Sequence, residues 1–394
     1  MKKIIVVTSS YPLKEGDFNG VFVHELCKAL KKDVEVLVVA PWVNGVEKEE
    51  VINGIKIFRH SQFFWNINFA YGTDISRKLE KNPFLYFVSP IFLIYQILLI
   101  KKLVSKYKVE IIHAQWLFPS GLAAVLYKLI FNTKIKIVVT LLGSDIWHFN
   151  KGWRAKLARF VMNNSNFVGS QSSALFQEAK RLGLKNAGGV IPLGIDTDKF
   201  NPAKFSLELK QTYSPNGPLI LFVGTLVPNK GVFPLIIAAK ELKKHHPEFK
   251  LLVIGEGDLM ADIKSFINEN NLSNNITLLG VISNDKLPTY FATSDIFILP
   301  SFSEGFPLVV MEALSSGANV VVSNISAYSL LKKEGNLIKM IQPGNSESIF
   351  SILNEMLNNP KALTKNKILS RNYAVNEFDV KTSAMRYNEV YSLI

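Results

Sequence analysis

Two carboxylates set eight positions apart, Glu304 and Glu312, are the residues of this chain best spaced to hold a two-ended ligand. The stretch that carries them, SDIFILPSFSEGFPLVVMEALSSG from Ser294 to Gly317, opens with a short apolar run, Ile296 to Leu299. Bounded by polar residues and Pro300, that run reads as a buried strand. A polar turn follows, Ser301 to Gly305, and then an apolar face from Phe306 to Leu314, with Pro307 where a first helical turn tolerates it. A strand that passes its chain to a helix through a Ser/Gly turn leaves free backbone N–H groups at the helix start. Such a start, here around Gly305, Phe306, Pro307 and Leu308, is a ready site for a phosphate. At the helical rise the two carboxylates stand roughly 12 Å apart along the axis. That span suits a sugar hydroxyl at one end and a ribose diol at the other, with a diphosphate between them.

The elements that must position these groups are legible in the rest of the chain. At 394 residues it is long enough for two domains with two cores. Apolar residues make up 48% and charged ones 20%, the balance of a globular rather than a disordered protein. Cys27 is the only cysteine, which excludes an intrachain disulfide framework or a cysteine metal site and points to a reducing, cytoplasmic compartment. Lys2 and Lys3 precede an apolar run, but Ile4 to Val7 is too short for a signal-peptide core and reads as a first strand. The formal charge of +13 sits almost wholly in residues 1–200. A basic first half favours an anionic partner. Nucleic acid is set aside because no recognition motif accompanies the charge. An anionic membrane surface, on the inner face of the cell membrane, or a lipid-linked phosphate fits better; a basic surface without a partner is the alternative.

In chain order, Ile4–Thr8 and Val34–Ala40 read as buried strands flanking a helix, Val21 to Lys32. The loop between them ends in Asn19-Gly20, where a glycine lets backbone approach a ligand or simply makes a turn. Phe84 to Ile100 carries no charge and is followed by Lys101-Lys102. It reads first as a partly buried helix, then as a helix lying on a bilayer with basic anchors. A membrane span comes last, since Pro90 interrupts the run and a strand, Val109 to Ala114, must follow at once. Further strands are Ile135–Leu141 and Asn166–Gly169, with a helix from Ser172 to Leu182. A second alternating series starts at Pro218, with strands Leu219–Val223, Lys250–Ile254, Ile276–Leu279, Ile296–Leu299 and Val320–Val322. The fold class is therefore α/β: two tandem doubly wound, Rossmann-like domains, 1–200 and 217–378, with 201–216 as linker.

The S-E-G-F-P…E-A-L pattern resembles the E-x7-E signature of the family-4 (group 1) retaining glycosyltransferases, which have the GT-B architecture of two Rossmann-like domains facing each other across a cleft. Val223-Gly224-Thr225 through Lys230-Gly231 is similar to the family's V-G-R-L-x-x-x-K-G. His113-Ala-Gln115-Trp116 is similar to its H-A-Q-W, and GGVIPLGIDTDKFNP, Gly188 to Pro202, to the segment that closes the first domain. The resemblance implies transfer of a sugar from a nucleoside-diphosphate donor, UDP- or GDP-linked, to a saccharide or lipid-linked acceptor, with no metal and no cofactor. It implies Glu304, Asp145 and Lys230 as catalytic residues. Gly20, Gly224, Thr225, Lys230, Glu304, Gly305, Phe306, Pro307, Leu308 and Glu312 would line the donor, and Asn19, His113 and Trp116 the acceptor. His113 also reads as a satisfied interior histidine. The last helix, about 379–394, is expected to return to the first domain. Asp196-Thr197-Asp198 is formally a metal-binding D-x-D, but it precedes a Lys and an Asn-Pro rather than following a strand.

Three family positions differ: Leu142 stands for a His, Thr225 for an Arg, and SNISAYSLL after Val322 for a Gly-Gly-x-x-Glu element. They keep two other readings open, a catalytically weak or inactive binding subunit and a sugar-nucleotide epimerase of the same architecture. Since a charge-assisted hydrogen bond contributes about 1.5–3 kcal/mol, Thr225→Arg is expected to tighten nucleoside-diphosphate binding roughly ten- to a hundredfold. Calorimetric titration checks this, and an unchanged or weaker affinity counts against placing the diphosphate there.

Overall fold

Strands covered on both faces must be apolar along their whole length, and the computed structural model contains two sheets of this kind. It describes residues 1–17, 19–61, 85–143, 146, 150–304, 308–328, 331 and 337–394. The chain divides into two units, Met1–Gly194 with Val380–Ile394, and Ile195–Asp379.

In the first unit the strands are β1 Lys3–Val7, β2 Glu35–Pro41, β3 Glu49–Ile52, β4 Ile55–His60, β5 Ile111–Gln115, β6 Lys136–Leu141, β7 Phe167–Ser170 and β8 Gly188–Val190. Their order across the sheet is β3-β4-β2-β1-β5-β6-β7-β8. Every pair is parallel except β3 with β4. The β3–β4 hairpin is absent from the sequence reading, although Asn53-Gly54 at its tip is a strong hairpin signal. Both residues adopt positive φ, 49° and 73°, as the tight turn requires. The sheet grows outward from β1 in one direction and from β5 in the other, so its order reverses between them.

The helix Leu85–Tyr107 buries Phe92, Ile97, Ile100, Leu103 and Val104 against this sheet. Among the described residues no helix is long and apolar enough to cross a membrane. The last helix, Val380–Leu393, belongs to the same unit. Its Ser383 hydroxyl donates to the Pro192 carbonyl at 2.8 Å, and Tyr387 and Tyr391 are buried in the core beside β1 and β2.

In the second unit β9 Leu219–Val223, β10 Lys250–Ile254, β11 Ile276–Gly280, β12 Ile296–Leu299, β13 Asn319–Ser323 and β14 Ile338–Ile341 form one parallel sheet. The order β11-β10-β9-β12-β13-β14 is the 3-2-1-4-5-6 order of the dinucleotide-binding fold. It reverses between β9 and β12.

Residues 201–216 are not a free linker. Ser206 caps the helix Leu207–Tyr213, and Lys210 pairs with Asp295 at 2.7 Å, so the segment is built into the second unit. The chain changes unit at Gly194/Ile195 and again at Asp379/Val380. There Thr197 donates its hydroxyl to Asp379 at 2.6 Å, and Arg371 donates to the carbonyls of Thr197 and Phe200 at 2.7 and 2.8 Å. Asp196 accepts the backbone N–H groups of Asp198 and Lys199. Asp196 and Thr197 of the D-x-D segment thereby serve the turn.

Candidate functional site

Open α/β sheets leave a crevice at the carboxyl ends of the two strands where their order reverses. In the second unit those strands are β9 and β12. After β9 the chain runs through Gly224 and Thr225 to a short turn, Pro228–Lys230, and Gly231 starts the helix Val232–His245. Gly231 has φ 65°, and a Cβ there would overlap the Pro300 carbonyl, so the residue after the lysine must be glycine. After β12 the chain runs from Pro300 to Glu304. The two loops are laced together: Phe302 N–H donates to the Asn229 carbonyl at 2.8 Å, and the Asn229 amide exchanges two bonds with Ser303 at 3.0 Å.

This lacing sets Lys230 against Glu304. The ammonium donates to both carboxylate oxygens, at 2.7 and 2.8 Å, and the Ser301 hydroxyl donates to one of them at 2.6 Å. The two residues assigned separately to phosphate and to sugar thus form one charge-balanced group. An ammonium has three N–H donors; two point at Glu304, which leaves one for a phosphate oxygen. Asn229, Ser301 and Ser303 join this group through hydrogen bonds and are absent from the residues singled out in the sequence. Their only signal is polarity inside two turns.

Thr225 is exposed and brings no charge. Gly255 and Gly257 are explained without a ligand: a Cβ on either would overlap the carbonyls of Gly224 and Leu226. Leu308 is half-buried at the head of the helix Leu308–Ser315, while Gly305, Phe306 and Pro307 lie outside the described residues. Glu312 lies inside that helix and is only 8% exposed. Burial pushes its carboxyl up to about 7, against a smaller opposite pull from Lys199.

In the first unit the order reverses between β1 and β5, and the loops after these strands hold the remaining candidates. Asn19 donates its backbone and side-chain N–H groups to Asp17 at 3.1 and 3.2 Å. Gly20 has φ 66°, and a Cβ there would overlap the Ser10 carbonyl, so packing alone accounts for this glycine. Trp116 adopts φ 69° and packs edge-on against Phe22, with ring centroids 5.8 Å apart. Asp145 lies outside the described residues.

His113 is fully buried. Its ring nitrogens meet the Tyr391 hydroxyl at 2.6 Å and the Thr140 hydroxyl at 2.7 Å, and Tyr387 completes the chain through Thr140 at 2.6 Å. Burial holds the imidazole down at about 3, so it is neutral at physiological pH. This geometry is that of the interior histidine, engaged on both sides and not presented to an acceptor. Leu142, also buried, offers no polar group. Among the described residues no cluster of His, Cys, Asp or Glu converges to hold a metal.

Residues 20–199 match the family described as Glycosyltransferase Family 4, and residues 207–372 match Glycosyl transferases group 1. The chain belongs to this group 1, family 4 class of proteins. It is similar to the UDP-Gal:α-D-GlcNAc-diphosphoundecaprenol α-1,3-galactosyltransferase of Escherichia coli, at 32% identity over 51% of this chain and 53% of the relative. That match spans about half the relative's length. A GDP-mannose-dependent α-(1-6)-phosphatidylinositol monomannoside mannosyltransferase of Mycolicibacterium smegmatis matches 99% of this chain and 98% of its own length, at 21% identity. Among solved structures, sucrose-phosphate synthase of Thermosynechococcus elongatus superposes with a TM-score of 0.80 at 17% identity, covering 100% of this chain and 99% of that one. Anabaena HepE in complex with UDP superposes with a TM-score of 0.75 at 17% identity, over 100% of both chains. These likenesses give the GT-B fold.

The elevated Glu312 carboxyl makes a prediction about stability. Its proton is kept in the folded state to about pH 7 but lost at an ordinary carboxyl pH when unfolded. Folding stability from this group therefore falls as pH rises between those points and is flat above them, by at most roughly 3 kcal/mol. Glu312→Gln is expected to flatten that part of the melting-temperature profile, measured from about pH 5 to about pH 8.

Proposed function

We propose that the protein is a retaining glycosyltransferase, moving a sugar from a UDP- or GDP-linked donor to a saccharide or lipid-linked acceptor in cell-envelope or polysaccharide synthesis. The observation that carries this reading is the Lys230–Glu304–Ser301 group at the carboxyl ends of β9 and β12. Breaking the glycosidic bond to the donor phosphate builds positive charge on the sugar ring and negative charge on the departing diphosphate. The unused N–H of Lys230 and the amides at the head of the helix that starts at Leu308 meet the negative charge. Glu304 orients the sugar, and Glu312 accepts from the ribose hydroxyls once ionised. Asn19 and Trp116 of the first unit serve the acceptor side, and Asp145 is a further catalytic residue. The missing cation at Thr225 and the apolar Leu142 favour one rival reading, a subunit that binds a saccharide or a partner enzyme without turnover.

The experiment combines calorimetric titration of UDP and GDP with diphosphate release from a panel of nucleotide sugars and lipid-linked acceptors. Glu312→Ala is expected to weaken nucleotide binding at least about tenfold. Glu304→Ala is expected to slow transfer by roughly a hundredfold or more while affinity stays level or rises, because Lys230 is released to the phosphate. Negligible effects of both removes the assignment, and a wild-type chain that binds neither nucleotide favours the non-catalytic reading.

The acceptor class motivates a surface reading as well. Ile94 and Leu98, 54% and 51% exposed, lie along one face of the helix Leu85–Tyr107 beside the exposed Ile130 and Phe131. Lys101 sits 4.4 Å over the Phe131 ring, and exposed Lys102 and Lys134 border the patch. Apolar side chains ringed by lysines suit an anionic bilayer surface. Cosedimentation with vesicles containing anionic lipid is expected to be salt-sensitive and to drop several-fold in Lys101→Glu/Lys102→Glu; equal sedimentation with neutral vesicles counts against it.

A further inference from the structure

Lys230 commits two of its three donors to Glu304. The third N–H makes first contact with the phosphate, and a diphosphate, carrying more charge than one carboxylate, then draws the whole ammonium toward itself. Glu304, whose side chain is 9% exposed, is then left with the Ser301 hydroxyl alone. A carboxylate so nearly buried calls for further hydrogen-bond donors.

The neighbouring strand supplies one. β13 lies parallel to β12, with Leu299 opposite Val322, and its chain continues past Ser323 into the turn Ser326–Tyr328. The loops after β9, β12 and β13 therefore emerge side by side at one edge of the sheet, carrying Lys230, Glu304 and Tyr328 in turn. Tyr328 is fully buried, and its hydroxyl has no hydrogen-bond partner among the described residues. Buried hydroxyls without partners are uncommon, and each calls for an explanation. Burial, and then the nearby negative charge of Glu304, raise its phenol, so it is a protonated donor throughout the neutral range.

We propose that Tyr328 is a positioning residue: its hydroxyl takes hold of Glu304 when Lys230 turns to the donor diphosphate. The inference rests on the glycosyltransferase reading above and adds to it the part that keeps the carboxylate in place under the sugar. Among the described residues the hydroxyl is unpaired, and nucleotide binding satisfies it.

The test uses the full chain and four proteins: wild type, Tyr328→Phe, Glu304→Gln and the double variant. UDP and GDP are titrated calorimetrically against each, and the melting temperature is read without nucleotide. Tyr328→Phe is expected to weaken the better-bound nucleotide roughly ten- to a hundredfold. The same change in the Glu304→Gln background is expected to alter affinity by less than about threefold, since its partner is already altered. Removing an unpaired buried hydroxyl is expected to raise the unliganded melting temperature by about 2–4 °C. A purely structural tyrosine would lower that temperature, and such a fall overturns the proposal. Wild-type binding that Tyr328→Phe retains, or an equal loss in both backgrounds, overturns it while leaving the glycosyltransferase reading standing. A wild-type chain that binds neither nucleotide overturns both.

Discussion

Lys230 and Glu304 are 74 residues apart in the chain, and their charges meet at 2.7 Å. What brings them together is the reversal of strand order between β9 and β12. Each strand delivers its following loop to the same edge, and the lacing of Asn229 to Ser303 removes the remaining freedom. Gly231 is part of the same constraint, because only a residue without Cβ lets the lysine loop pass the Pro300 carbonyl. An ammonium held in this way loses less side-chain entropy on meeting a phosphate than a free surface lysine would.

The two glutamates of the E-x7-E pair look equivalent in the chain, yet their surroundings separate them. Glu304 is surrounded by donors, a cation and a hydroxyl. Glu312 is buried in a helix among apolar neighbours, which pushes its carboxyl up to about 7. Environment thus sets two residues of one chemical type apart, and the proposed reading gives them different roles. The member held by Lys230 and Ser301 suits the reacting end of a donor. The member poised near neutrality suits a hydroxyl-rich end, where both protonation states can hydrogen-bond.

The first unit shows the opposite outcome for residues that look chemical. His113 stands at the end of a strand beside a Gln and a Trp, where catalytic side chains often occur, and is consumed by the core. Its partners Tyr387 and Tyr391 arrive from the far end of the chain, so the network closes the sheet with the last helix. A neutral imidazole with a hydroxyl on each nitrogen is fully satisfied and has little reason to move. Gly20 and Gly255 follow the same pattern: close backbone contact explains them before any ligand does.

The chain's own pattern determined the α/β class, the two-sheet organisation and most central strands, because parallel strands buried on both faces must be continuous apolar runs. It also placed Glu304, Glu312 and Lys230 after strands, where loops carry ligands. The short hairpin at Asn53-Gly54, the edge strands β8 and β14, and the first crossing between units at Gly194/Ile195 escaped that reading, since their signals are brief and partly polar. Only the tertiary structure decided which groups touch. The Lys230–Glu304 pair, the burial of Glu312, the enclosure of His113 and the unpaired hydroxyl of Tyr328 depend on strand order and on neighbours distant in sequence. Local periodicity reports which way a residue faces, whereas its partner and its protonation are set by what the fold brings against it.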